Sequence, residues 1–249
     1  MNIFNFLSFG RERAAGSIPS SQEPNSSHAR TDPFFDCLLK VDLTPQHIVD
    51  VGANRGNWTR TALKYFPESY YTLFEPQEKL RHAVSDLTEN PKITFYAMGA
   101  GPENASMKIT EHERDDSFTF ALDEDQALAL GREQTKMIPV VALDDFLKKT
   151  GLPKTDILKI DAEGWDLEVL KGAEKTIQNA DVVLIEAAVM NKLFKNKVSD
   201  VINKMLDYNF MLFDITDLNR TSKHNALWLV ELAFVKRGGF VDQKITSFA

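Results

Sequence analysis

From residue 34 onward the chain alternates short apolar runs with amphipathic stretches. "HIVDV" (47–51) is a β-rich run that ends at a glycine, and "WTRTALKYF" (58–66) spaces Ala62, Leu63 and Phe66 as a helix until Pro67 stops it. "YYTLF" (70–74) predicts a second strand, Pro76 opens a helix through about Leu87, and "ITFYAM" (93–98) predicts a third strand. The same rhythm returns later. "DILKID" (156–161) is a strand, and "WDLEVLKGAEKTI" (165–177) is a helix with Leu167, Leu170, Ala173 and Ile177 inward. "DVVLIEAAV" (181–189) is the near-continuous apolar run of a strand covered on both faces. A helix from about Val198 to Leu206 leads to "NFMLFDI" (209–215) and "ALWLVELAFVK" (226–236), which have no helix between them and so pair as an antiparallel hairpin at the sheet edge. Strands alternating with helices imply right-handed crossovers and a mostly parallel sheet.

The middle is less regular. "SMKITEH" (106–112) alternates like an exposed strand, and "MIPVVALDDFL" (137–147) reads as a strand running into a short helix. Residues 113–136 between them are polar and acidic, a long excursion over one face with the character of a lid. At the other end, Gly16 to Pro33 is rich in Ser, Pro and Asn and reads as a flexible lead-in. The division expected is therefore a lead-in over 1–32 and a single domain over 33–249. The first residues, "MNIFNFLSFGRER", are apolar and then basic, the reverse of a secretory signal. They read as a frayed tail, with weak peripheral contact to a membrane as the alternative.

Composition narrows the partners. Of 249 residues, 43% are hydrophobic and 26% charged, as in a soluble globular protein, and no run has the length of a membrane span. A net charge of -7 leans away from nucleic acid. The single cysteine, Cys37, offers neither an internal disulfide nor a cysteine zinc site and fits the cytoplasm.

The candidate chemistry begins at "IVDVGANRGNW", Ile48 to Trp58, where a strand runs through Gly52 and Gly56 into a helix. A dehydrogenase loop would place glycine at 54 so that a pyrophosphate could touch the backbone; here it is Asn54. Asp50 before the turn suits a cationic ligand. S-adenosylmethionine, with an ammonium, a sulfonium and no phosphate, meets those demands. Glu75, closing the second strand in "LFEP", stands where an acid accepts ribose hydroxyl protons, or caps the helix that follows.

A second group lies in "KIDAEGWDLEVLKGA". Strand alternation aims Lys159, Asp161 and Glu163 at one face, at the carboxyl end of a central strand where parallel sheets bind ligands. Glu186 projects to the same rim. Such a cluster is either a salt-bridged plug or a catalytic site. His47, His82 and His112 read as surface or hydrogen-bonded histidines, Trp165 as core, and Asp115 to Phe120 as flanking the acceptor.

Through "VDVGANRGNW", "LFEP", "VVALDDFL" and above all "ILKIDAEGWDLEVLKGAEKTI", the chain resembles the FkbM family of S-adenosylmethionine-dependent methyltransferases over roughly 46–190. Trp58, Ala162 and the glycine-rich "AMGAGPENAS" depart from the usual pattern. The resemblance implies a Rossmann-like class I methyltransferase fold: an α/β, seven-stranded, mostly parallel sheet with an antiparallel last strand and helices on both faces. It implies methyl transfer to a hydroxyl of a sugar, glycolipid or natural-product acceptor, a small molecule or glycan rather than a nucleic acid. Asp50, Gly52, Asn54 and Gly56 match the cofactor loop, Glu75 the ribose acid, and Lys159, Asp161, Glu163 and Gly164 the "KID-EG" signature. On this view Asp161 or Glu163 is the base or positions the acceptor, Asp161 also borders the cofactor, and Lys159 holds the carboxylates. In a variant, Asp161 and Glu186 ligate Mg²⁺. A silent cofactor-binding module and a nicotinamide-dependent oxidoreductase are the alternatives from other classes.

Overall fold

In a computed structural model, residues 31–111, 118–120, 135–192 and 194–245 are described. The lead-in up to residue 30, His112, Asp115 to Ser117 and most of the acidic excursion lie outside them.

The apolar runs become strands where the sequence places them. β1 (His47–Val51), β2 (Tyr70–Phe74) and β3 (Ile93–Tyr96) are parallel neighbours. β8 (Ile157–Ile160) and β9 (Val182–Ala188) continue the parallel array on the other side of β1. β10 (Phe210–Arg220) and β11 (Leu227–Lys236) form the expected antiparallel hairpin. The order is β10-β11-β9-β8-β1-β2-β3, so the last strand, β11, runs antiparallel between β10 and β9. A second, four-stranded sheet, which the sequence pattern does not predict, has the order β4-β7-β5-β6. It comprises β4 (Gly99–Ala100), β5 (Ala105–Glu111), β6 (Phe118–Phe120) and β7 (Thr135–Val141).

Two apolar layers hold the main sheet, one on each face. Strand alternation divides them: Leu158, Ile160, Val183 and Ile185 enter one layer, while Ile157, Val182 and Leu184 enter the other. The first layer is closed by α5 (Asp166–Lys171), α6 (Glu174–Asn179) and α7 (Val198–Asp207). The second is closed by α1 (Thr31–Lys40) and α2 (Asn57–Tyr65), where Phe35 meets Trp58 and Phe66 edge-on. Burying both faces of β8 and β9 stabilises the sheet, each buried aliphatic side chain contributing about 1.5–3 kcal/mol.

Two predicted helices are altered by contacts distant in sequence. The helix after Pro76 is a 3₁₀ segment, Glu78–Val84, followed by the short α3 (Ser85–Thr88). The helix over 165–177 is broken into α5 and α6 at Gly172, where a Cβ would stand 2.0 Å from the Gly101 carbonyl oxygen. That approach seats the start of the second sheet on the main body, and α4 (Leu143–Leu147) follows its strand β7. Leu170, Ala173 and Ile177 are buried as expected.

Candidate active site

The site forms at the carboxyl edge of the parallel strands. After β1 the backbone turns through three left-handed residues: Gly52 (φ 76), Asn54 (φ 48) and Gly56 (φ 75). A Cβ on Gly52 would lie 1.8 Å from the Asp161 carbonyl oxygen, so glycine is what lets the loops after β1 and β8 touch. A Cβ on Gly56 would meet Leu87 Cδ1 at 2.6 Å, which brings the start of α2 down onto α3.

Glu75 ends β2 beside this turn, buried to 1% exposure. Its Oε2 accepts the Asn54 backbone N–H at 3.0 Å and its Oε1 accepts that of Gln77 at 2.9 Å. Burial lifts its carboxyl pKa to about 7, against the pull of those two N–H donors. The Gln77 side-chain amide is buried next door with no hydrogen-bond partner at normal geometry. A fixed acid with lone pairs to spare and a buried amide beside it at one strand end fit a ligand that brings hydroxyl and nitrogen groups, as an adenosine does.

Asp50 is fully buried. Its Oδ2 accepts the Thr59 hydroxyl at 2.6 Å, and Lys159 Nζ stands 3.3 Å from its Oδ1. The cation that Asp50 faces is therefore Lys159. The same ammonium donates to the Gly52 carbonyl at 3.2 Å and to Asp161 Oδ2 at 3.3 Å. Burial works against the Lys159 charge, yet the Asp50 and Asp161 carboxylates hold its pKa above the ordinary lysine range.

β8 ends at Ile160, so strand alternation does not reach Glu163, which adopts φ 50 in the turn beyond. Gly164 follows at φ 91 with the Phe194 ring 2.8 Å from where its Cβ would be. Asp166 clamps this turn: it accepts the Ala162 and Gly164 N–H groups at 3.0 and 3.1 Å and the Asn196 amide at 2.7 Å. Burial raises the Glu163 pKa well above its ordinary value, reinforced by the charges of Asp161, Asp166 and Glu75.

Register exposes a charged row that the motif alone does not reveal. Asp50 is level with Lys159 across β1 and β8, Glu231 opposes Glu186 across β11 and β9, and Asp217 opposes Glu231 across β10 and β11. Strand parity sets all five on the α2 side of the sheet. From Lys159 outward they line one open pocket, together with Asp161, Trp58 and the apolar Leu229 and Val230. Burial lifts Glu231 to about 7 and Glu186 well above the carboxylate range, the charge of Asp161 adding to the latter. Sequence reasoning identified Glu186 and missed Glu231 and Asp217. The signal for Glu231 was a lone acid in the apolar run "ALWLVELAFVK".

The Mg²⁺ variant gains no support. Asp161 and Glu186 share the pocket, but among the described residues no group of three or more His, Cys, Asp or Glu is placed to hold a metal ion. The Lys159 ammonium already sits against Asp161. His47 lies at the opposite, amino end of β1, buried against Thr72 and Pro153 with its pKa lowered to about 4 by burial. Trp165 packs with Ile109, Ile138 and Val140 between the two sheets. Among the described residues no helix is long and apolar enough to cross a membrane.

Comparison with known proteins adds the family. The model of the methyltransferase FkbM domain matches residues 50–212. "Methyltransferase 1" of Beauveria bassiana is 26% identical over 160 residues, covering 57% of this chain and 64% of that protein. The hexuronic acid methyltransferase AglP of Haloferax volcanii is 33% identical over 90 residues, 35% of this chain and 34% of that protein. The chain thus spans under two thirds of the length of these relatives. A crystal structure of an FkbM methyltransferase from Methylobacillus flagellatus aligns over 75% of this chain and 43% of its own, at 17% identity and a TM-score of 0.49.

Proposed function

The chain belongs to the FkbM methyltransferase family, and from that premise we propose that it is an S-adenosylmethionine-dependent O-methyltransferase. The acceptor is a hydroxyl on a sugar, glycolipid or natural product. The observation that carries the cofactor is Glu75, a buried carboxyl at the end of β2 whose two oxygens are each fixed by one backbone N–H and keep lone pairs for a ligand. Glu75 would hold the ribose diol, the turn from Gly52 to Gly56 would border the amino-acid end, and the buried Gln77 amide would take a polar edge of the adenosine. When bound, the cofactor supplies a methyl group already activated by its sulfonium.

The remaining work falls to the chain. It must place an acceptor hydroxyl in line with the methyl and remove its proton. Asp161 is oriented by Lys159, which is itself held by Asp50, and Glu163 stands on the turn that Asp166 clamps. Either carboxylate can take the proton. The high pKa of Glu163 makes it the stronger base once ionised. The relative named for hexuronic acid methylation supports a sugar framework in the acceptor, without the acid group that the carboxylates of this pocket would repel. Carboxylates along the pocket would oppose a phosphate backbone, which supports a small acceptor over a nucleic acid.

The test is S-adenosylhomocysteine binding by calorimetry, followed by methyl transfer to a panel of hydroxylated acceptors. Asp161→Asn or Glu163→Gln should lower kcat about 10²–10⁴-fold with cofactor affinity retained. If neither substitution lowers kcat, the base assignment fails. If the protein takes up no S-adenosylhomocysteine, the cofactor assignment fails.

A further inference from the structure

We propose that the pocket between β8, β9 and the β10–β11 hairpin is an acceptor subsite for an amino alcohol, a molecule carrying an ammonium group near the hydroxyl that is methylated. This deepens the methyltransferase assignment and rests on it.

The first observation is the balance of charge on the pocket wall. Asp161, Glu186, Asp217 and Glu231 line it against one cation, Lys159, which is already engaged by Asp50 and Asp161. Glu186 and Glu231 face each other across an antiparallel pair, where directly opposed Cβ atoms lie about 4.5–5.5 Å apart. Two negative charges so placed would repel, so the unliganded pair holds a proton, and a cation between the two carboxylates takes that proton's place.

The second observation is independent of the acids. Trp58 is 5% exposed, yet it forms part of the pocket wall, and its indole Nε1–H has no hydrogen-bond partner among the described residues. An indole can only donate. A ligand that gives a cation to the carboxylates and an acceptor atom to the Trp58 side of the wall would satisfy both. A hydroxyl oxygen close to an ammonium supplies both, and the hydroxyl proton is then directed at a carboxylate.

The cofactor does not account for the outermost acid. Adjacent strands are about 4.8 Å apart, so Glu231 on β11 stands four strand spacings, about 19 Å, from the ribose acid Glu75 on β2. Leu229 and Val230 add an apolar patch beside the acids, which suits a carbon framework such as a sugar ring. An acidic sugar would meet the same carboxylates and be repelled.

Three matched probes test the assignment: methyl 2-amino-2-deoxyglucoside, its N-acetyl derivative and methyl glucuronoside. Each is titrated by calorimetry into the full chain saturated with S-adenosylhomocysteine, in buffer containing a chelator to exclude divalent cations. The amine should bind at least tenfold more tightly than either analogue. Glu186→Gln with Glu231→Gln should erase that preference, and Trp58→Phe should weaken the amine severalfold. Retained S-adenosylhomocysteine binding verifies that each variant is folded. Equal or tighter binding of the N-acetyl or uronate probe overturns the proposal, as does absence of amine binding to cofactor-loaded protein. Loss of S-adenosylhomocysteine binding by the unaltered chain would instead overturn the cofactor assignment beneath it.

Discussion

Replacing Glu75 by glutamine probes the cofactor site most directly. The side chain keeps its length, but glutamine has one acceptor oxygen where Glu75 uses two, so its amide nitrogen must face a backbone N–H of Asn54 or Gln77. On the ligand side one charge-assisted hydrogen bond to a ribose hydroxyl disappears. Such bonds contribute about 1.5–3 kcal/mol, so the Kd for S-adenosylhomocysteine should rise about 10- to 150-fold. The protonation state adds a second signature. A carboxyl with a pKa of about 7 must ionise to receive the diol, so affinity should weaken as pH falls through 7. If only the ionised form binds, the loss between pH 7.5 and 5.5 is about 25-fold, and Glu75→Gln should flatten it. Isothermal calorimetry over that range reads both effects. A variant whose Kd stays within twofold of the wild type, or keeps the wild-type pH slope, would refute the assignment of Glu75 to the ribose.

The same acids govern stability. Glu75, Asp166 and Glu231 have folded-state pKa values of about 7, above their ordinary values, so the folded chain binds more protons than the unfolded one. The stabilisation is complete below the ordinary carboxylate range and is lost as pH rises through 7. Glu75 alone contributes up to about 3 kcal/mol, and the Tm of the ligand-free protein should fall by about 5 °C or more from pH 5 to pH 8; a flat or rising Tm contradicts this. Gly52→Ala, with a Cβ 1.8 Å from a backbone oxygen, should cost about 3 kcal/mol or more in urea unfolding. Lys159→Met strands the buried Asp50 and should cost about 3–5 kcal/mol, with part recovered when Asp50→Asn is added. Turnover should be unchanged by excess chelator, since the Lys159 ammonium already engages Asp161 Oδ2 at 3.3 Å.

The elements of the main sheet were legible because each strand is an apolar run bounded by turn residues, and the helices between them carry a 3.6-residue period. What escaped depends on approaches between distant segments. The break at Gly172 is imposed by a carbonyl at Gly101, and nothing local in "VLKGAEKTI" reveals it. The second sheet rests on β4, two residues long, and on pairings of β5 with β7 across the acidic excursion. In the site, the local motif located Asp50, Glu75, Lys159 and Asp161. The alternation rule overreached at Glu163 because the strand stops three residues earlier. Asp217 and Glu231 join the pocket only through hairpin register, which is a property of the folded sheet.

Among the described residues the main sheet has two open borders, and they are protected by different means. β3 is four residues long, and Arg81 donates to the Phe95 carbonyl beside it at 3.3 Å. β10 is eleven residues long and shows Leu212 and Ile215 to solvent, a length and character that invite pairing with a second chain. Register shifts between Leu212 and Asp214 and between Ile215 and Asp217 bend this border, and the two aspartates interrupt its apolar positions. These irregular positions are what opposes pairing of this outer strand with a second chain. Asp217 serves there twice, as a guard of the border and as part of the pocket wall, so changes that retune the pocket at this position also carry a cost in solubility.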